Sequence, residues 1–415
     1  MTTKLDPNAH PWMTAAATRA VMAALTADGG QARFVGGAVR NALLGESVSD
    51  VDIATPLVPD EIMRRLRNAG LGAVPTGVDH GTVTAVSDGK PFEVTTLRRD
   101  VATDGRHAVI AFTTDWREDA ARRDFTINAL YADEGGAIHD YFGGLADLQI
   151  RRVRFVGDAA TRIREDYLRI LRLFRFHAWY GRGELDANAL AAAVAERSGL
   201  KRLSGERVQK ELLRLLEAKD PTAPLRTMER ERILGELLPA KLGLERLERL
   251  IAIENANGLA RDALLRLAAL LPDGAAAARQ VGHALRLSNA ARDRLIGAAE
   301  KDARIEGALA HRAARKILYD LHTEFFRDQV LLQWAASRES VEDAGWRGLL
   351  SLAQAWRRPA FPLDGNDVMA LGFEEGPQIG AALKDVERWW VEQDFAPGRA
   401  ALLERLKQAS DTARP

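Results

Sequence analysis

Two rhythms of apolar residues run along this chain, and one replaces the other near residue 150. Residues 14–28 place Val21, Met22 and Leu25 on one helical face, and Asp28-Gly29-Gly30 ends the run. Ala32, Phe34 and Val35 then make an apolar run short enough for a buried strand. Gly36-Gly37 follows, with a helical run that keeps Val39, Leu43 and Leu44 on one side until Gly45 stops it. Asp50-Val51-Asp52-Ile53 alternates as a second strand. Residues 60–69 form a helix closed by Gly70, and residues 82–86 and 92–97 form two strands about Asp88-Gly89. Residues 99–118 lack helical periodicity, contain Gly105 and read as a long loop of the kind that often carries function. Residues 119–131 read as a helix with Phe125, Ile127 and Leu130 inward, and 138–142 as a last short strand. Beyond them the period is helical to the end, with breaks at Gly199, Pro221, Pro239, Gly258, Pro272 and Pro359. Sheet first and helices after give an α+β fold class.

The chemistry gathers in residues 34–55. Residues two apart on a strand share a face, so Asp50 and Asp52 project together while Val51 and Ile53 pack behind. Their β-carbons lie roughly 6–7 Å apart, and at an effective dielectric of about 20 the two charges repel by roughly 2–3 kcal/mol. A cation between them relieves this, and an oxygen ligand set suits Mg²⁺. The Gly36-Gly37 join lets backbone N–H groups approach an anion at a helix N-terminus, and Arg40 adds a charged fork one turn on. A metal pair beside a polyphosphate cradle is equipment for phosphoryl or nucleotidyl transfer. If the strand over 92–97 neighbours the aspartate strand, Glu93 becomes a third carboxylate.

Composition narrows the setting. With 415 residues, 47% hydrophobic and 28% charged, the chain suits a globular protein of two to four domains, and no apolar run reaches membrane-spanning length. No signal-like pattern opens it and it has no cysteine, which agrees with a cytoplasmic location and excludes disulfides and thiolate metal sites. Fifty-eight basic and fifty-eight acidic residues cancel, so any nucleic-acid contact needs a local patch. Residues 151–182 supply one, with nine arginines against three acids. Within it Asp166, Arg169, Arg172 and Arg175 recur at i, i+3, a ridge on one predicted helix. Cytosine and adenine each offer an amino donor beside a ring-nitrogen acceptor, while uracil and guanine do not. An Asp acceptor beside an Arg donor therefore selects C and A without a nucleic-acid template, and the other arginines meet phosphate.

These residues, taken in order, resemble the class II tRNA nucleotidyltransferases, the CCA-adding enzymes, whose superfamily includes the bacterial poly(A) polymerases. Gly36-Gly37-Ala38-Val39-Arg40 through Asp50-Val51-Asp52 resembles the catalytic motif, and Arg122-Arg123-Asp124-Phe125-Thr126-Ile127-Asn128-Ala129 the ribose- and phosphate-contacting motif. Tyr141-Phe142-Gly143-Gly144 with Asp147-Leu148 resembles the head–neck hinge, Glu165-Asp166-Tyr167-Leu168-Arg169 the amino-acid template, and Ser204-Gly205-Glu206-Arg207-Val208 before Glu211-Leu212 the neck turn. Leu363, Gly365, Asp367, Leu371-Gly372 and Gly376 to Gly380 are more weakly similar to the family's tail.

The resemblance implies a polymerase-β-like head with a small mixed sheet (1–148), a helical neck (149–216), body (217–350) and tail (351–415), in a seahorse shape. It implies addition of CCA to tRNA 3′ ends from CTP and ATP by two Mg²⁺ ions, with pyrophosphate released. By position, Asp50 and Asp52 would hold metal. Gly36, Gly37 and Arg40 would meet nucleotide phosphates, and Arg123, Asp124 and Asn128 the nucleotide. Asp166 and Arg169 would read the base, while Arg172 and Arg175 would bind phosphate. Asn41 departs from the Asp the family often has and is expected to tune local hydrogen bonding. The loop over 99–118 would couple head movement to the switch from C to A. A poly(A) polymerase, or an enzyme adding only CC or only A, is the alternative; oligomeric state is left open. A silent RNA scaffold has no need of two crowded carboxylates. An antibiotic-modifying nucleotidyltransferase has no need of the base-reading helix or long helical body. His139-Asp140 lacks the further histidines of a phosphohydrolase site.

Overall fold

The computed structural model describes residues 4–103, 108–239, 242–300, 304–371 and 376–413. Among the described residues nine strands are present: β1 (Arg33–Val35), β2 (Asp52–Thr55), β3 (Gly72–Gly77), β4 (Thr82–Ser87), β5 (Lys90–Thr96), β6 (Arg98–Thr103), β7 (Ala108–Phe112), β8 (Leu130–Ala132) and β9 (Ile138–Asp140). Seven form one sheet in the order β3-β4-β5-β2-β1-β8-β9, and β6-β7 form a separate ladder. Only β2 and β5 run parallel, with Asp52 opposite Glu93; the other neighbours are antiparallel. The sheet is therefore mixed. Phe34, Val35, Ile53, Ala54, Val83, Ala85, Val94 and Tyr131 are buried along it. Among the described residues no strand follows β9, and helices occupy the rest.

The chain divides at Leu238 and Pro239 into two compact units. The first contains both sheets, the Leu168–Tyr180 helix, the Gly205–Leu216 helix and the Thr222–Arg230 helix packed on Leu168–Tyr180. Residues 217–238 fall within this first unit. In the second unit Tyr319 packs in one cluster with Leu363, Val368, Trp390 and Leu402. Of the tail motif, Gly365 opens the Gly365–Met369 helix under a capping box from Asp364 and Asp367, and Pro377 opens Pro377–Glu392. Gly372 lies outside the described residues.

Four local expectations change. Residues 99–118 are not a loop: β6 and β7 pair from Arg98↔Phe112 to Thr103↔Ala108, and the Trp116–Ala121 helix follows. The apolar run over 108–112 finds its partner in a polar, arginine-led stretch that shows no strand alternation of its own. Residues 104–107, with Gly105, lie outside the described residues. The helix over 119–131 stops at Ala121 and gives way to a 3₁₀ turn at Thr126–Asn128 and to β8. Asp124 explains the break, because its carboxylate accepts from the Phe125 amide (2.8 Å) and Asn128 Nδ2 (3.0 Å) and folds the chain round itself.

The predicted aspartate strand begins only at Asp52. Val35, opposite Asp52, is the last residue of β1 before the chain turns at Gly36, so Asp50 has no ladder partner there. The single helix carrying Asp166 to Arg175 is two helices, Ala159–Glu165 and Leu168–Tyr180, with Asp166 extended between them (φ −156°, ψ 106°).

Candidate active site

The site is built where β1 and β2 meet the helix that starts at Gly37. Gly36 has φ +70°, a left-handed turn that costs glycine nothing, and it swings the chain from β1 into the Gly37–Leu44 helix. That helix carries Arg40 inward to 6% exposure. The guanidinium donates to Asn128 Oδ1 (2.5 Å), Asn41 Oδ1 (3.1 Å from Nε, 2.9 Å from Nη2) and Tyr180 Oη (2.8 Å), and lies 3.9 Å from the Tyr180 ring centroid. Its hydrogen-bond acceptors here are all neutral. Asn41, where an Asp would neutralise the charge, leaves it whole, and Asn41 Nδ2 donates to the Ser47 carbonyl (3.1 Å). Burial lowers the Arg40 pKa from its ordinary value, with Tyr180 and Asp124 opposing.

Asp52 sits at the start of β2 in register with Glu93 of β5. Burial first, then the charge of Glu93, raise the Asp52 carboxyl to about 6; Arg123 opposes and Asp50 adds to the rise. Asp50, just outside the strand, accepts from the Ser49 hydroxyl (2.8 Å). Among the described residues no three His, Asp or Glu side chains form a closed metal cluster. The donor set nonetheless suits a hard divalent ion: Asp50, Asp52 and Glu93 offer carboxylate oxygens, and burial, with the charge of Glu93, disfavours the charged form of Asp52 that a cation would favour.

Around this acidic corner the arginines are held by buried carboxylates. Asp119, 1% exposed, accepts from Arg122 Nε (2.8 Å), Arg123 Nη2 (3.1 Å), the Tyr131 hydroxyl (2.6 Å) and the Arg98 amide (3.2 Å). Burial would push its pKa up, but Arg123, Arg122 and Tyr131 overcome this and hold it at about 2. Asp124 Oδ2 accepts from Arg172 Nε (2.9 Å) and Nη2 (2.5 Å), and desolvation of Asp124 is likewise outweighed, keeping it far below the usual carboxylate range. Glu211, on the Gly205–Leu216 helix, accepts from Arg175 Nε (2.5 Å) and Arg172 Nη1 (3.5 Å). Asp166 accepts from the Leu168 amide (3.1 Å) and Arg207 Nη2 (2.7 Å), whereas Arg169 donates to Glu165 and to the Arg162 carbonyl (2.7 Å).

Thr126, in the turn, donates to Asp147 (2.6 Å), which also takes Arg152 and Arg154. Gly144 passes so close to the Thr126 carbonyl that a Cβ there would lie 2.2 Å away, so this join admits no side chain.

The structure brings most of the expected residues to one cavity of about 500 Å³. Gly36, Gly37, Arg40 and Asp52 line one part of it, and Arg123, Asp124 and Asn128 another. Asp166, Arg169 and Arg172 complete it. Asp50 and Arg175 instead line a second cavity of about 460 Å³, which shares Gly37, Arg40 and Asp52 with the first. Glu93 lines neither and meets the site only through Asp52. The expected Asp166–Arg169 pair does not form as a hydrogen bond: each has its own ionic partner, although both face the same cavity. The reason is the helix break, which turns Asp166 toward Arg207. Sequence reading missed Asp119, Glu165, Arg207, Glu211 and Tyr180 as supports. Asp119 and Glu165 left a plain signal: Asp119 stands three and four residues before the two arginines it holds, and Glu165 stands three after Arg162 and four before Arg169.

A nucleotide-sized polar cavity between an acidic strand end, a Gly-Gly helix start and an arginine-lined helix defines a nucleotidyltransferase head on a helical neck. Comparison with known proteins gives the family. Residues 32–154 match the poly(A) polymerase head domain, and 184–241 a probable RNA- and SrmB-binding site of polymerase A. The chain is 35% identical over 384 residues to the mouse mitochondrial CCA tRNA nucleotidyltransferase 1, covering 91% of this chain and 86% of the relative. It is 32% identical over 382 residues to the CCA-adding enzyme of Levilactobacillus brevis, covering 89% and 91%. The crystal structure of the Bacillus stearothermophilus CCA-adding enzyme in complex with CTP superposes with a TM-score of 0.75 at 26% identity, over 97% of this chain and 99% of that one. The chain belongs to the class II CCA-adding tRNA nucleotidyltransferases.

Proposed function

We propose that this enzyme adds CCA to tRNA 3′ ends from CTP and ATP, one nucleotide at a time and without a nucleic-acid template. The observation that carries the reading is the shared cavity, which sets Asp166, Arg169 and Arg207 in one wall with Asp52, Gly37 and Arg40. A carboxylate beside guanidinium donors fits the amino-plus-ring-nitrogen edge of C and A. Arg207 and Glu165, by holding Asp166 and Arg169 in place, set the spacing of that readout. Arg123, clamped by Asp119, and Asn128, clamped by Asp124, meet the nucleotide, while Arg40 with its unneutralised charge, Arg172 and Arg175 meet phosphate.

Asp50 and Asp52 would hold Mg²⁺, with Glu93 as the third carboxylate opposite Asp52. When bound, such ions supply charge neutralisation on the phosphates and a lower pKa for the attacking hydroxyl. The tRNA 3′-oxygen bonds to the α-phosphorus as the bond to the bridging oxygen breaks; that oxygen leaves on pyrophosphate with the electron pair. The chain's own residues bind, orient and neutralise; no histidine lines either cavity. A tRNA ending before CCA, incubated with labelled CTP and ATP, tests the reading by product length and identity. Three residues in the order C, C, A are expected. Addition of CC alone, A alone or a run of A would assign the partial or poly(A) activity instead.

A further inference from the structure

Asp50 reaches its cavity without help from the sheet. It stands two residues before β2, on a largely exposed connector that runs from the Gly37–Leu44 helix to the strand. Among the described residues, no backbone–backbone hydrogen bond reaches Ser47, Val48, Ser49 or Asp50. The bond from the Ser49 hydroxyl to the Asp50 carboxylate (2.8 Å) lies within the connector and anchors it to nothing. Two ties do lead back to the helix, and both end on Asn41. Its carbonyl accepts from the Glu46 amide (2.9 Å), and its Nδ2 donates to the Ser47 carbonyl (3.1 Å). Glu46 also approaches Arg151 at 3.9 Å, a surface pair of little weight.

The Asn41 amide can stand only one way round. Its Oδ1 accepts twice from Arg40, at 3.1 Å from Nε and 2.9 Å from Nη2, so Nδ2 is the group left to face the Ser47 carbonyl. One side chain thus holds a cation on one edge and gives a proton to a carbonyl on the other. A carboxylate could do the first and not the second: it has no proton to donate at neutral pH and would set an oxygen against the Ser47 oxygen. Arg40 keeps two further acceptors, Asn128 and Tyr180. The Ser47 carbonyl has no second donor among the described residues. With that bond gone, the short span from Ser47 to Asp50 is loose at one end and must be ordered afresh whenever an ion binds, which costs affinity.

We infer that Asn41 is a positioning residue for Asp50: its amide holds the connector at Ser47 and so sets where the first carboxylate of the Asp-x-Asp couple stands beside Asp52. The inference rests on the nucleotidyltransferase reading above and deepens it.

Mn²⁺ is the probe, bound to the full chain without nucleotide or tRNA and followed by electron paramagnetic resonance. In Asn41→Ala the Mn²⁺ dissociation constant rises about fivefold, the loss expected for one neutral hydrogen bond. The comparison is then repeated in an Asp50→Asn background, where Asn41→Ala has no further effect because the group it places is already gone. An equal loss in both backgrounds means that Asn41 acts elsewhere and overturns the proposal. Mn²⁺ binding by Asn41→Ala at the wild-type level overturns it as well. Asn41→Ser removes the same bonds and carries the cycle if Asn41→Ala melts below the wild type. A wild type that binds Mn²⁺ through Asp50 yet adds no CMP refutes the proposed reaction alone. One that adds CCA while the cycle is additive refutes this inference alone.

Discussion

Beside the direct bond from Arg40 to Tyr180, a second link between the two helices that frame the nucleotide cavity runs through Asp124. Its Oδ2 takes two bonds from Arg172, its Oδ1 takes Asn128, and Asn128 Oδ1 takes Arg40. Asp124→Asn keeps the shape and removes the charge, and its amide can present only one acceptor oxygen to the donors that two now serve. Breaking a buried ion pair by changing one partner costs about 3–5 kcal/mol. Arg172 is 30% exposed and keeps Glu211 at 3.5 Å, so the expected loss is about 2 kcal/mol. For a unit of this size that lowers the first unfolding transition by about 4–8 °C. KM for CTP and ATP should rise together about tenfold as Arg40 and Arg172 lose their orientation. The decisive assay is a double-mutant cycle with Arg172→Gln, read by calorimetry and by initial rates. If the pair is the source, the two losses overlap by more than 1 kcal/mol. Strict additivity, or a single mutant as stable as wild type, would refute the reasoning.

Three further outcomes follow from the same geometry. Asp50→Ala should abolish nucleotide incorporation while a gel-shift assay shows tRNA binding near wild type; equal loss of both would remove Asp50 from the metal site. Arg169→Ala should relax the choice of nucleotide more than it slows CTP use at saturation, measured by UMP and GMP misincorporation, and unchanged fidelity would sink its base-reading role. Asp119, held at about 2 against an ordinary value of 3.8, supplies stability fully present above pH 4 and lost as pH falls through 2. The shift corresponds to about 2 kcal/mol. Denaturant unfolding of wild type and Asp119→Asn from pH 7 to pH 2 should therefore show two curves that converge on acidification; a constant gap would count against this account of Asp119.

Much of the site was written in contiguous stretches. Gly36-Gly37, Arg40, the Asp-x-Asp couple and the arginines after residue 160 were identifiable because their chemistry follows from residue type at short spacing. Strand alternation also pointed to Glu93, and parallel pairing puts it opposite Asp52. Spacing alone could not reveal the interruption at Asp166. A periodic row of charges reads as one helix, and an aspartate that bonds the amide two residues ahead ends the helix instead. The ladder of β6 with β7 was hidden for a related reason: a strand with little alternation is defined by its partner.

The distant partners of the arginines were beyond the sequence. Asp124 and Arg172 are 48 residues apart, Arg207 and Asp166 41, and Glu211 and Arg175 36, so nothing local couples them. Sequence alone determined which charges this protein would carry and in what order, since local spacing sets a side chain's kind and its face on an element. Only the tertiary structure decided which arginines stay tied to carboxylates and which, like Arg40, keep a whole charge for an anion, because a buried charge is governed by whatever neighbours the fold delivers.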